Sequence, residues 1–144
     1  MNYFKFSEFT KESVIPLYVA QAILDYHMPA LNLLRNSLGE PITISERSGY
    51  RSVAHEKLKG RSGNSQHCFQ NGMGAVDLTT RNMEKLGVLL TISAYSRVCW
   101  YPTKNFYHCD FKHGVRSHHE HELELFVDYD DGTGWQRVNS FRQH

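Results

Sequence analysis

His67, Asp77 and His108 are the residues of this chain whose types and context are best suited to metal chemistry. A catalytic zinc site takes three protein ligands and leaves a fourth position for water. Two neutral imidazoles and one carboxylate leave such a centre with net positive charge, which lowers the pKa of bound water and polarises a carbonyl group. A single histidine on a strand is more often structural than ligating, so the interpretation requires that all three side chains converge.

Convergence depends on the elements that carry these residues. Residues 46–73 are polar and rich in Gly, Ser and Asn, which predicts a long structured loop with His67 near its end. The pattern predicts that Asp77 lies on a short buried strand at 75–79 and that His108 lies on another strand. The three ligands therefore meet only if these two strands are neighbours.

The rest of the pattern predicts helices packed on a small, largely antiparallel sheet. Apolar residues at helical spacing indicate a helix over 13–38, in which Pro29 is expected to cause a kink or a break. The other predicted elements are a strand at 41–45, a helix at 83–95, strands at 97–101 and 105–111 joined by a turn at 102–104, and a hairpin of 123–129 with 135–141. The expected fold is α+β, with one domain over residues 1–144 and the zinc site at the sheet face.

Composition and charge exclude several classes of partner. Lys and Arg number 16 against 15 Asp and Glu, so a chain with a formal charge of +1 has no electrostatic footprint for nucleic acid or an anionic membrane. No apolar run is long enough to span a bilayer, and the N-terminus lacks the apolar core of a signal peptide. The three cysteines form no C-x-x-C pair, which argues against a disulfide scaffold. We expect a monomer that is synthesised in the cytoplasm.

Three motifs together resemble a known family. They are S-G-Y-R-S at 48–52, S-Q-H at 65–67 with A-V-D at 75–77, and F-Y-H-C-D at 106–110. In this order they resemble the zinc D-alanyl-D-alanine carboxypeptidases and related murein endopeptidases, which include phage endolysin peptidases. The resemblance extends over about residues 6–111. It implies a hedgehog/DD-peptidase-like fold and a zinc metallopeptidase that hydrolyses peptide bonds containing D-amino acids in peptidoglycan.

The resemblance also implies roles for individual residues. His67, Asp77 and His108 match the zinc ligands of the family. Arg51 matches an arginine that binds substrate or stabilises the developing oxyanion, for which a guanidinium fork is well suited. Two further motif residues, Tyr50 and Ser65, are expected at the substrate site, where Ser65 would orient the loop that bears His67.

Two departures from the family pattern leave questions open. Nine residues separate His67 from Asp77 where the family has six, and the longer segment could bulge outward or reshape the substrate cleft. Many members carry an acidic general base at the position of Asn105, which cannot accept a proton. Asp110 shares the strand face of His108, so it is either the base or a partner that fixes an imidazole tautomer. His113 is the third candidate.

Two other functions compete with the peptidase hypothesis. A degenerate relative could keep this fold as a cell-wall-binding or virion structural module. The segment that holds His118, His119 and His121 could instead bind or buffer metal. Retention of the three ligands and Arg51 favours the enzyme, and the lack of a signal peptide suggests action on the cell wall after phage release or from a virion.

Overall fold

The computed structural model describes residues 2–45, 49–60, 65–70, 72–116, 123–142 and 144. Four of the residues that the sequence analysis names lie outside these ranges. Ser48 of the S-G-Y-R-S motif is one, and the histidines at 118, 119 and 121 are the others. Among the described residues, no helix combines the length and the apolar character needed to cross a membrane.

The first helical segment runs unbroken from residue 17 to residue 38. It comprises α1 (Leu17–Ala22), one π-helical turn (Ile23–His27) and α2 (Met28–Leu38). The predicted break at Pro29 does not occur; instead a π turn at Ile23–His27 directly precedes the turn that holds Pro29, a local change of helix type that accommodates the missing N–H. The helix ends at Leu38, and its C-cap Gly39 has the left-handed conformation, with φ of 79°.

In the part of the chain that the structure describes, six strands form one sheet in the order β1-β2-β4-β3-β5-β6. They are β1 (Thr43–Ile44), β2 (Ala75–Thr79), β3 (Arg97–Tyr101), β4 (Phe106–Asp110), β5 (Glu124–Val127) and β6 (Gln136–Val138). Every pairing is antiparallel except that of β3 with β5, which is parallel. The predicted α+β fold with a largely antiparallel sheet is confirmed.

Two of the differences between predicted and observed elements concern the later helices. The segment predicted as loop contains α3 (Val53–Leu58), which begins where the Ser52 hydroxyl accepts the backbone N–H of His55. The helix predicted to reach residue 95 ends earlier, as α4 (Met83–Leu90). Beyond its end, the guanidinium of Arg116 donates hydrogen bonds to the carbonyls of Thr91 and Ser93, which stabilises a turn there in place of further helix.

The two faces of β4 point into different environments. Tyr107 and Cys109 point into the apolar core, and the Tyr107 hydroxyl donates a hydrogen bond to the Met83 carbonyl of α4. His108 and Asp110 point to the opposite face of the sheet. The sheet therefore presents one face to the helices, the helix face, and uses the other, the metal face, for the candidate ligands.

Candidate metal centre

The register between β2 and β4 brings two of the three predicted ligands together. Asp77 and His108 are direct partners across the two strands. Asp77 Oδ1 lies 3.1 Å from His108 Nδ1 and 3.4 Å from His67 Nε2, and the two nitrogens are 3.2 Å apart. One ligand atom from each residue thus lies within 4.8 Å of the others. This is the convergence that the hypothesis of a metal site requires.

His67 is positioned by its backbone and by the outer nitrogen of its ring. It lies in a 3₁₀ turn (Gln66–Cys68), where the Ser65 hydroxyl accepts its N–H and its carbonyl accepts the N–H of Arg51. Its Nδ1 lies 3.1 Å from the Gly49 carbonyl oxygen, which can only accept, so Nδ1 carries the proton. The Nε2 lone pair is left facing the other two ligands.

Gly49 can hold that carbonyl in place because it has no side chain. A Cβ at this position would lie 1.9 Å from the Phe9 carbonyl oxygen of the N-terminal segment. No other residue fits this approach without moving the backbone. The glycine of the S-G-Y-R-S motif therefore serves the metal site through its backbone.

The outer ring nitrogen of His108 is also held by an acceptor, here a carboxylate where His67 has the Gly49 carbonyl oxygen. Its Nε2 lies 2.7 Å from Asp110 Oδ2, and Asp110 also accepts hydrogen bonds from Arg97 Nε at 2.9 Å and Nη2 at 2.7 Å. Asp110 is fully buried. A proton held on Nε2 by this carboxylate leaves the Nδ1 lone pair for a metal.

The charges around the site call for a cation between the ligands. Burial raises the pKa of Asp77, but His67 and His108 outweigh burial and hold it well below its usual value. Burial also raises the pKa of Asp110, yet the hydrogen bonds from His108 and Arg97 bring it to about 2. Burial lowers the pKa of His108, but its bonds to Asp110 and Asp77 raise it to about 9. Both carboxylates are held in their ionised form, which favours a positive charge between the ligands.

The donor set fits zinc. Two imidazole nitrogens whose outer nitrogens are hydrogen-bonded, together with one carboxylate oxygen, are typical of catalytic zinc sites. Within the described parts of the chain, His67, Asp77 and His108 are the group of such side chains that converges in this way.

Arg51 is tied to the metal site through its backbone N–H, which donates to the His67 carbonyl, and part of its guanidinium has no hydrogen-bond partner among the described residues. Its Nη2 lies 3.6 Å from Oε1 of Glu56, which is only 1% exposed. Its Nε is buried and has no hydrogen-bond partner within the described residues. Arg51 and Tyr50 line a cavity of about 170 Å³, which is also lined by Lys11, Glu12 and His55. A buried donor beside a cavity of this kind is suited to an anionic group of a ligand.

The longer segment between His67 and Asp77 folds inward. Phe69 adopts a left-handed backbone with φ of 57°, and its fully buried ring packs edge-on against Tyr50. The Met73 carbonyl lies 2.6 Å from Nε2 of His27, a buried histidine of the π turn. Phe69 and the Met73 carbonyl thereby anchor the described part of this segment to the core.

The structure brings neither Asn105 nor the candidate base His113 into the cluster. Asn105 is an exposed residue of the β3–β4 turn with φ of 60°, a conformation that asparagine tolerates better than most residues. His113 is 42% exposed in its side chain and contacts Glu124 instead. Asp110 contacts His108 and Arg97, and its contacts match the tautomer-fixing alternative.

Two residues at the site were not identified from the sequence. Arg97 could have been found, because a turn between β3 and β4 at 102–105 places it directly opposite Asp110. The ring centre of Trp135 lies 5.1 Å from that of His108. No spacing rule predicts this contact, because Trp135 belongs to the β5–β6 connection, which is distant in the sequence.

Comparison with known proteins agrees with the geometry. No curated protein matches the chain. The family model for peptidase M15 matches residues 2–110, which include the three ligands, Arg51, Arg97 and Asp110. M15 peptidases are metal-dependent hydrolases. With this match over most of its length and a His-Asp-His cluster at the expected positions, the chain belongs to the peptidase M15 family of metallopeptidases.

Proposed function

We propose that this protein is a zinc-dependent peptidase that hydrolyses peptide bonds containing D-amino acids in peptidoglycan stem peptides or cross-links. The observation that supports it most is the convergence of His67 Nε2, His108 Nδ1 and Asp77 Oδ1, with the outer nitrogen of each imidazole held by its own acceptor. Such a site needs no rearrangement of its protein ligands to accept a metal. The substrate class follows from the family resemblance of the motifs.

Each residue of the site has a distinct part in the proposed reaction. His67, Asp77 and His108 hold the ion, and zinc bound there supplies a Lewis acid that polarises the scissile carbonyl and activates water. Asp110 keeps the His108 proton on Nε2, and the Gly49 carbonyl does the same for Nδ1 of His67. We assign Asp110 as a positioning residue on the strength of these contacts, and the hydrogen bonds that it accepts from His108 and Arg97 keep it ionised.

Arg51 is proposed to bind a substrate carboxylate or the oxyanion that forms during hydrolysis. Its unused Nε supplies a donor, and buried Glu56 restrains the guanidinium from the other side. Donors of this kind contribute about 2.7–4 kcal/mol to the transition state. Tyr50 then contributes as part of the cavity wall. Ser65 contributes through the turn that carries His67, whose backbone N–H its hydroxyl accepts.

A non-catalytic cell-wall-binding or virion module is the second candidate. Asn105 favours it, since many relatives have an acid at that position. In that case the protein would bind peptidoglycan without releasing peptides. In either case we propose that the protein acts on the cell wall as a monomer.

Digestion of purified peptidoglycan tests the enzyme against the module. We expect the protein to release peptides or expose new amines, a chelator to abolish this, and mass spectrometry of the products to identify the bond that is cut. Arg51→Lys is the matched variant, because it keeps the charge but loses the planar fork, and we expect it to keep zinc and lose activity. Binding without any released product, by protein loaded with zinc, would contradict the enzyme and support the module.

A further inference from the structure

The region that follows the family match contributes a side chain to the metal site. Trp135 lies in the connection between β5 and β6, 25 residues beyond the end of the match at residue 110. Its ring nevertheless packs edge-to-face against His108, with ring centres 5.1 Å apart and an interplanar angle of 62°. The ring of His67 lies on His108 at 5.0 Å, so the ligating imidazole of His108 is in contact with two other rings.

Trp135 also contacts the far end of the hydrogen-bonded chain behind His108. The guanidinium carbon of Arg97 lies 4.4 Å from the centre of the Trp135 ring, a cation–π contact. Arg97 donates to Asp110, and Asp110 lies 2.7 Å from His108 Nε2. The contacts Trp135–His108, His108–Asp110, Asp110–Arg97 and Arg97–Trp135 therefore form a closed ring of four residues.

Two other aromatic side chains hold Trp135 in place. Its Nε1–H donates a hydrogen bond of 2.7 Å to the hydroxyl of Tyr101 on β3, and its ring centre lies 5.2 Å from that of Phe126 on β5. Both residues lie on the metal face, because Cys99, the partner of His108 on β3, is two positions before Tyr101 and pairs with Phe126 on β5. The indole orientation is thus fixed by one hydrogen bond and by packing.

We propose that Trp135 is a positioning residue of the metal centre and that the C-terminal β5–β6 hairpin is part of the enzyme's functional unit. Trp135 limits rotation of the His108 ring and covers the Arg97–Asp110 ion pair, so that Nδ1 of His108 stays directed at the metal. The inference rests on the proposed function, because it assumes that the cluster binds zinc. Partners that orient a ligating histidine typically change metal affinity by about 10–100-fold.

The test measures zinc affinity of the full chain by competition with a chelator. Trp135→Ala is expected to weaken zinc binding by about 10–100-fold. Trp135→Phe, which keeps an aromatic ring over Arg97 and against His108, is expected to restore most of the loss. With Co²⁺ in place of zinc, Trp135→Ala is expected to change the visible absorption spectrum, which reports ligand geometry.

Phe141→Ala is the matched control for general destabilisation of the C-terminal segment. Phe141 packs against Tyr107 on the helix face, 5.2 Å between ring centres, and has no contact with the ligands. We expect this variant to be less stable and to keep its zinc affinity. If Trp135→Ala does not fold, Tyr101→Phe replaces it, because it removes only the hydroxyl that holds the indole, and it is expected to weaken zinc binding in the same direction.

Unchanged zinc affinity and an unchanged Co²⁺ spectrum in folded Trp135→Ala would overturn the inference, as would unchanged affinity in Tyr101→Phe where that variant replaces it. An equal loss of affinity in Phe141→Ala would do the same, since the effect would then be general. These outcomes are distinct from failure of the proposed function, in which the unaltered protein itself would bind no zinc.

Discussion

The two faces of β4 are equally buried and chemically opposite. On the helix face, Tyr107 is 3% exposed and Cys109 is fully buried among apolar side chains. On the metal face, His108 is 7% exposed and Asp110 is fully buried, but each lies within hydrogen-bond distance of a charged or ligating partner. Burial by itself therefore does not distinguish core from site. The difference lies in whether the buried atoms require specific partners.

That difference has an energetic meaning. Apolar burial on the helix face stabilises the fold at about 25 cal/mol per Å² removed from water. Buried charges on the metal face lose their hydration, and pairs such as Arg97 with Asp110 often do no better for stability than apolar residues of the same volume. A sheet face that keeps such groups is better explained by metal binding than by stability. Substitutions on the two faces should accordingly affect different measurements.

The largest expected loss of stability comes from the helix face of β2. Leu78 is fully buried and follows the ligand Asp77 directly, but its side chain points to the opposite face. Leu78→Ala is expected to lower the free energy of unfolding by about 2–5 kcal/mol, through lost burial and the cavity that remains. The folded variant should bind zinc like the unaltered protein, as denaturation and metal analysis together would show. A folded Leu78→Ala protein without zinc would show that zinc binding on the metal face depends on packing on the helix face, against this account.

His27 is the exception on the helix side, a buried histidine in contact with Tyr95 and Met73. Burial lowers its pKa from 6.5 to about 4, despite the hydrogen bond that its ring donates to the Met73 carbonyl, which raises it. As pH falls below 6.5, the unfolded chain takes up a proton that the folded chain does not. The stability that neutral His27 provides is thus present above about pH 6.5 and is lost toward pH 4.

The variant His27→Gln tests whether His27 causes this loss of stability. Between about pH 7 and about pH 4 the unaltered protein should lose about 3 kcal/mol of stability through His27, and the variant should not. Urea denaturation at both pH values, with chelator present in all samples, gives the difference between the two proteins and cancels the titration of the metal site. An identical pH dependence in both proteins would show that His27 is not the titrating group.

On the metal face, Asp110→Asn is expected to have the smallest of these effects. As a positioning residue, Asp110 should contribute about 10–100-fold to zinc affinity, and added zinc should largely restore activity. As a general base, it should leave zinc occupancy intact and contribute about 10²–10⁴-fold to the rate. Chelator competition and peptidase assays at several zinc concentrations separate the two roles. If neither zinc affinity nor rate changes, both assignments to Asp110 are wrong.

The sequence predicted local elements of the site better than the contacts between distant ones. Alternation placed His108 and Asp110 on one face of a strand, and the register of β2 with β4 confirmed that Asp77 meets His108. The turn between β3 and β4 has bounds that differ by one residue, because Asn105 takes a left-handed conformation before the strand begins. Period and turn chemistry are local, so they can be predicted from a few neighbouring residues.

Features that depend on tertiary contacts were missed. Nothing in the local pattern shows that β5 pairs in parallel with β3, or that Trp135 thereby reaches His108. The π turn before Pro29 brings His27 to Met73, a contact that depends on the packing of two segments far apart in the sequence. In both cases the deciding energy comes from long-range packing, to which propensity is a weak guide.

The metal content of the purified protein tests the central claim most directly. We predict about one tightly bound zinc ion per chain, consistent with a single three-ligand site, and its loss in His67→Ala. A variant lacking His118, His119 and His121 is the control for adventitious binding, and it should keep its zinc. Equal zinc in His67→Ala and in the unaltered protein, when both also lack those three histidines, would contradict the assignment of His67, Asp77 and His108 as the metal site.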